Sequence, residues 1–116
     1  MKRPRNLGSI IDDMIDHIDY LSGKIGNKTL EDFRADRDVR QIVERSLEIV
    51  SEGSRRLPTE FKDAHSEIPW REVADFGNVL RHAYFHVDPE VVWEIATTHI
   101  IPLRKALTSM LDKLPE

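Results

Sequence analysis

The apolar positions of this chain recur at helical spacing almost from end to end. Between Asn6 and Leu21 they fall at Leu7, Ile10, Ile11, Met14, Ile15, Ile18 and Leu21. Steps of three and one trace a single helical face, and Asp12, Asp13, Asp16 and Asp19 take the other. Those acids read as a solvated surface, because their spacing matches no metal motif. Gly23 and Gly26 with Asn27 are expected to end this helix, since they tolerate positive φ at low cost. Thr29, with an acid three residues on, can cap a short turn whose Leu30 and Phe33 point inward. Asp36 or Asp38 can start a second long helix with the stripe Val39, Ile42, Val43, Leu47, Val50 and Leu57. Ser46, Gly53 and Ser54 along it are small enough to admit another helix closely. A glycine in a helix costs roughly 1 kcal/mol against alanine, so Gly53 suggests a packing reason.

Pro58 stops that helix, and Thr59 to His65 can form a short turn anchored by Phe61. Pro69 suits a first helical position, and the spacing predicts a helix from about Trp70 to Tyr84 or Phe85. Asp88, Pro89 and Glu90 read as N-cap, first position and first-turn acid of the next helix. Val91, Val92, Trp93 and Ile95 follow. Pro102 should break or kink this element near Thr98 and His99. Leu103, Ala106, Leu107, Met110, Leu111 and Leu114 then carry a stripe to the C-terminus. No stretch alternates as a strand would, and no segment repeats. The reading is an all-α bundle of four main helices, with short accessory turns at 29–34 and 59–65.

Composition narrows the function classes. A chain of 116 residues is expected to be one domain, 1–116. There are no cysteines, which excludes disulfides and thiolate metal sites and fits a cytoplasmic setting. No apolar run approaches the roughly 18 residues of a membrane span, so no membrane partner is expected. The net charge of -4 opposes nucleic-acid binding unless a local groove is basic.

The stretch from Gly77 to Tyr84 concentrates the chemistry. At about 100° per residue, Asn78, Arg81 and His82 share one helical face, while Val73, Phe76, Leu80 and Ala83 fall on another arc. An imidazole titrates near neutrality and can act as acid or base. A guanidinium offers phosphate a fixed fork of donors. Asn78 can hold a phosphate or fix the imidazole tautomer. Each also has a plainer reading. A lone histidine beside an arginine is ordinarily a surface or interface group, and Tyr84 a half-buried packing residue. Trp70 and Trp93 are most simply core anchors. His17, His65 and His99 are scattered, with no carboxylate spacing that suggests a metal. Arg55 and Arg56 either answer the C-terminal helix dipole or belong to a basic groove.

A family resemblance bears on that choice. Ile68-Pro69-Trp70-Arg71-Glu72-Val73-Ala74, Asn78, His82, Tyr84-Phe85, Val87-Asp88 and Val92-Trp93-Glu94-Ile95 resemble the HepT-type branch of HEPN-domain toxins. So does the upstream run from Arg45 to Gly53 with Arg56-Leu57. The resemblance spans nearly the whole chain in the same order. It implies an all-helical homodimer acting as a metal-independent ribonuclease with no cofactor. It also implies a toxin paired with a nucleotidyltransferase antitoxin of the MNT type, which transfers AMP from ATP to the motif tyrosine. The family motif is Arg, four residues, His, one residue, Tyr, with a polar residue after the arginine. His82, Tyr84 and Asn78 match it. Gly77 stands where the arginine belongs. Arg81, about 40° around the helix from Gly77, can bring a guanidinium towards that space. A second frame, Arg81 to His86, lacks the tyrosine. The departure leaves an alternative: a weakened or inactive HEPN module that binds a nucleotide, RNA or the transferase partner.

Overall fold

In the computed structural model, residues 6–82 and 87–114 are described. Seven α-helices follow in order: α1 (Leu7–Ile25), α2 (Leu30–Ala35), α3 (Arg37–Arg55), α4 (Thr59–Asp63), α5 (Trp70–Arg81), α6 (Pro89–Glu94) and α7 (Ile100–Asp112). A π-helical turn, Ile95–His99, joins α6 to α7. No strand occurs among the described residues. The four main helices are therefore α1, α3, α5 and the composite element running from α6 to α7. The accessory turns are α2 and α4. This is an all-α bundle, the architecture expected from the sequence.

The caps explain where the helices begin. Asn6 accepts from the Ser9 N–H at 2.8 Å and opens α1. Thr29 and Asp32 form a reciprocal capping box on α2, at 3.1 and 3.0 Å. Asp36 accepts from the Val39 N–H at 3.1 Å and opens α3 directly after α2 ends. Asp88 accepts from the Glu90 N–H at 2.9 Å, with Pro89 in the first turn of α6. Each satisfies a donor that the first helical turn leaves without a partner.

Three boundaries differ from the sequence expectation. Helix α1 runs through Gly23 to Ile25, and only Gly26 ends it, at φ +50°. Pro69 is the N-cap of α5 rather than its first residue, its carbonyl accepting from the Val73 N–H at 3.0 Å. Helix α5 ends at Arg81, with His82 at its C-cap. Ala83, Tyr84, Phe85 and His86 lie outside the described residues. At Pro102 the helix neither stops nor breaks. The ring cannot sit against the carbonyl four residues back, and the preceding turn opens into π geometry. There the Ile100 N–H reaches the Ile95 carbonyl, and the Thr97 hydroxyl donates to the Trp93 carbonyl at 2.7 Å.

The core lies where α3 and α7 each pack on α1. Ile11, Met14, Ile18 and Leu21 meet Val43, Leu47 and Val50 of α3 and Leu103, Leu107 and Met110 of α7, all buried. Full burial of such a side chain stabilises by about 1.5–3 kcal/mol. Phe33 of α2 is fully buried, and its ring meets Trp93 at 5.3 Å between centroids. Trp70 is partly buried, and its indole N–H reaches the carbonyls of Lys62 and His65 at 3.1 Å, tying α4 to α5. Phe61 is only partly buried against the core.

Two glycines set how closely α3 is approached. A Cβ on Gly53 would lie 2.5 Å from Met14 Cγ, so α1 rests directly on this part of α3. A Cβ on Gly77 would lie 2.2 Å from Ser51 Oγ and 2.7 Å from Ser51 Cβ. Helix α5 therefore closes on α3 at position 77, and that contact places the polar face beyond it.

Candidate active site

Ser51 is the fastening point between α3 and α5. Its hydroxyl donates to the Ala74 carbonyl at 3.0 Å and accepts from the Gly77 N–H at 3.1 Å. Gly77 is buried in this contact. The position that the family motif gives to arginine thus points into the helix–helix seam.

Next to the seam, α1, α3 and the end of α5 enclose an open cavity of about 660 Å³. Arg45, Arg55, Arg56 and Arg81 line it together with Asp13, Glu48 and Glu52, and Asn78 closes the α5 side. Arg81 Nη1 donates to Asn78 Oδ1 at 2.7 Å, as their spacing of one turn allows. Arg81 also faces two α3 carboxylates, with Nε 3.5 Å from Glu48 and Nη2 3.7 Å from Glu52. Glu48 in turn holds Arg45 at 3.1 Å, and Glu52 lies 3.8 Å from Arg56. Charges alternate along this edge: Arg45, Glu48, Arg81, Glu52, Arg56.

Arg55 stands outside that ladder. Its Nη2 donates to the Ala74 carbonyl at 3.0 Å, crossing from α3 to α5 instead of folding back onto its own helix end. Arg55 and Arg56 both line the cavity and both stand at the C-terminal end of α3, so their positions fit either reading.

Of the residues singled out in the sequence, Asn78 and Arg81 come together in direct contact. His82 follows at the C-cap of α5, exposed and outside the cavity lining, its backbone N–H bonded to the Asn78 carbonyl at 3.1 Å. Tyr84 lies outside the described residues. Glu48, Glu52 and Ser51 went unremarked as site residues. Their signal was available: Arg45, Glu48, Glu52 and Arg56 recur at three- and four-residue steps, the spacing of one α3 face. Among the described residues no group of three or more His, Asp or Glu is placed to hold a metal ion. No described helix is long and apolar enough to cross a membrane.

Among the described residues the cavity thus gathers guanidiniums and carboxylates beside Asn78. The ribonuclease HepT-like family matches residues 12–110. The chain belongs to this family. It is 33% identical over 113 residues to "Putative RNase TTE0752" from Caldanaerobacter subterraneus subsp. tengcongensis, covering 97% of this chain and 98% of the relative. It is 37% identical over 94 residues to "Probable ribonuclease HepT" from Thermococcus cleftensis, covering 81% of this chain and 86% of that one. No solved structure matches the chain. Membership in a ribonuclease family makes RNA the substrate class to which this HepT-like chain is directed.

Proposed function

We propose that this HepT-like chain is the toxin of a toxin–antitoxin pair, a metal-independent endoribonuclease that works as a cytoplasmic homodimer. The observation that carries the reading is the Asn78–Arg81 pair at 2.7 Å on the rim of an arginine-lined cavity, one residue before His82. In this reading an RNA 2′-OH attacks its neighbouring phosphorus. His82 takes or returns the proton, and the bond to the 5′-oxygen breaks as that oxygen is protonated. Arg81 and Asn78 hold the charged phosphate through the step. The ends left are a 2′,3′-cyclic phosphate and a 5′-hydroxyl, and the nucleophile makes the reaction specific to RNA. One His82 per chain is thin for two proton transfers, so pairing two copies supplies a second imidazole. Pairing also doubles the local positive field against the net charge of -4.

Silencing is assigned to a nucleotidyltransferase antitoxin of the MNT type. The Tyr84 phenolic oxygen attacks the α-phosphorus of ATP, the bond to pyrophosphate breaks, and AMP stays on the tyrosine. The added phosphate repels RNA from the groove.

Purified protein incubated with RNA in EDTA tests the enzyme. Cleavage that disappears in His82→Ala is the expected result, and RNA left intact by the wild type contradicts it. Mixing with the partner transferase and ATP should add AMP mass to the wild type and none to Tyr84→Phe. Equal modification of both proteins would refute Tyr84 as the acceptor. A second reading, a HEPN module that binds RNA or its partner without cutting, draws on two features: Gly77 in the seam, and Arg81 between Glu48 and Glu52. Wild-type protein that binds RNA and leaves it whole would establish that reading instead.

A further inference from the structure

The motif position that lacks its arginine is also the position with no room for one. Any side chain at 77 starts 2.7 Å from Ser51 Cβ, an atom fixed to the α3 backbone. Removing the side chain at 77 lets α5 settle on α3. The same closeness lets a guanidinium cross in the opposite direction. Arg55 is one helical turn beyond Ser51 on α3, and its Nη2 reaches the Ala74 carbonyl, the acceptor that the Ser51 hydroxyl also uses. Arg55 therefore lies over α5 within one turn of Gly77 and Asn78, and it lines the same cavity as Asn78 and Arg81.

Its charge differs from its neighbours' in one respect. Arg45, Arg56 and Arg81 each face Glu48 or Glu52 within 4 Å. Among the described residues Arg55 faces no carboxylate at that distance, and its one hydrogen bond goes to a neutral carbonyl. A guanidinium has five N–H donors, so a single bond leaves most of the fork open. Arg55 is the cavity's uncompensated cation, held in place by the backbone of the helix that carries the motif.

We propose that Arg55, arriving from α3, binds the scissile phosphate in this chain and takes the part that the motif assigns to an arginine at position 77. Arg81 is then the second, partly neutralised guanidinium of the same clamp. The proposal rests on the ribonuclease reading above. It makes Gly77 and Arg55 one arrangement: the glycine closes the seam, and the arginine one turn along α3 crosses it.

The test compares wild type, Arg55→Ala, Arg55→Lys and Arg81→Ala for cleavage of one RNA. Binding is measured in parallel to the same RNA carrying a 2′-deoxy sugar at the cleaved position. Arg55→Ala should lose about a hundredfold or more in kcat/KM, the scale of removing one charge-stabilising donor. Arg55→Lys, which keeps the charge and can still bond Ala74 but lacks the fork, should lose about tenfold. Arg81→Ala should lose less than Arg55→Ala. The dependence of log Kd on log salt should become shallower by about 0.7 in Arg55→Ala, the contribution of one single-strand phosphate contact. A purely structural role for Arg55 would not change that slope in a folded variant. Guanidinium ion at millimolar concentration should restore part of the activity of Arg55→Ala and none to His82→Ala. If wild type cleaves RNA and both Arg55 variants cleave at the same rate, Arg55 has no such role and the ribonuclease reading stands. If wild type cleaves nothing, both fall.

Discussion

At the residue scale the decisive position is Gly77. The family resemblance puts it where the motif has arginine, but the sequence cannot show which way its Cα–Cβ direction points in the fold. That depends on Ser51, 26 positions earlier. Overpacking a seam of this kind costs about 1–3 kcal/mol, and alanine's better helix propensity returns up to about 1 kcal/mol. Gly77→Ala should therefore lower the urea midpoint with an unchanged m-value, and adding Ser51→Gly should recover part of the loss. A Gly77→Ala protein as stable as wild type would contradict the close contact. Gly77→Arg, which restores the motif on paper, should be less stable and no more active; a gain in cleavage rate with unchanged stability would show that position 77 opens towards the groove. The Asn78–Arg81 pair, by contrast, was legible from spacing alone. The carboxylates between which Arg81 lies belong to another helix, so they emerge only when α3 and α5 are packed.

At the element scale, the caps and apolar stripes were readable because their causes are local. Thr29, Asp36 and Asp88 all sit where their side chains meet a free N–H within the next few residues; Asn6 does the same for α1 but was not singled out in the sequence. Asp36 serves two elements at once, closing α2 and opening α3, so Asp36→Ala should cost about 1 kcal/mol, read as a lower thermal midpoint. Gly23 misled because a glycine permits a helix end without requiring one; nothing lies within 4 Å of its Cβ position, and the helix passes through. The π turn before Pro102 came from a steric conflict whose location was legible and whose resolution was not. Two carboxylates on the bundle give opposite pH signs. The Arg104 fork, at 2.8 and 2.9 Å, holds Asp19 below the ordinary aspartate range, mainly through its hydrogen bonds. That stabilisation is complete above the unfolded-state value and is lost as pH falls through the folded one. Both side chains are about half exposed, so the pair contributes roughly 0–1 kcal/mol. Burial pushes Glu44 upward, with Arg40 opposing. Its contribution is complete below the unfolded glutamate value and is lost as pH rises through the folded one. Glu44→Gln should stabilise the protein at neutral pH relative to wild type and leave acid stability little changed. Denaturation midpoints at pH 4 and pH 7, as two nominal conditions for the linkage comparison, check this. Equal effects at both would contradict it.

At the scale of the whole molecule, an acidic chain is directed at a polyanion. In the proposed reading the conflict is met locally: among the described residues four arginines and three acids line one cavity, while other acids lie on faces such as the outer side of α1. RNA binding should accordingly weaken steeply as salt rises. Affinity that is flat between low and physiological salt would argue against a phosphate groove. Sedimentation equilibrium should find a dimer at working concentration, and a monomer that cleaves at full rate would remove the need for two imidazoles. In the proposed reaction this chain cuts RNA through the RNA's own 2′-OH although position 77 carries no arginine. Mass spectrometry of the ends produced from a defined RNA in EDTA tests it most directly. Ends bearing a 2′,3′-cyclic phosphate and a 5′-hydroxyl are the expected result. Uncut RNA, or ends bearing a 3′-hydroxyl and a 5′-phosphate, would contradict it.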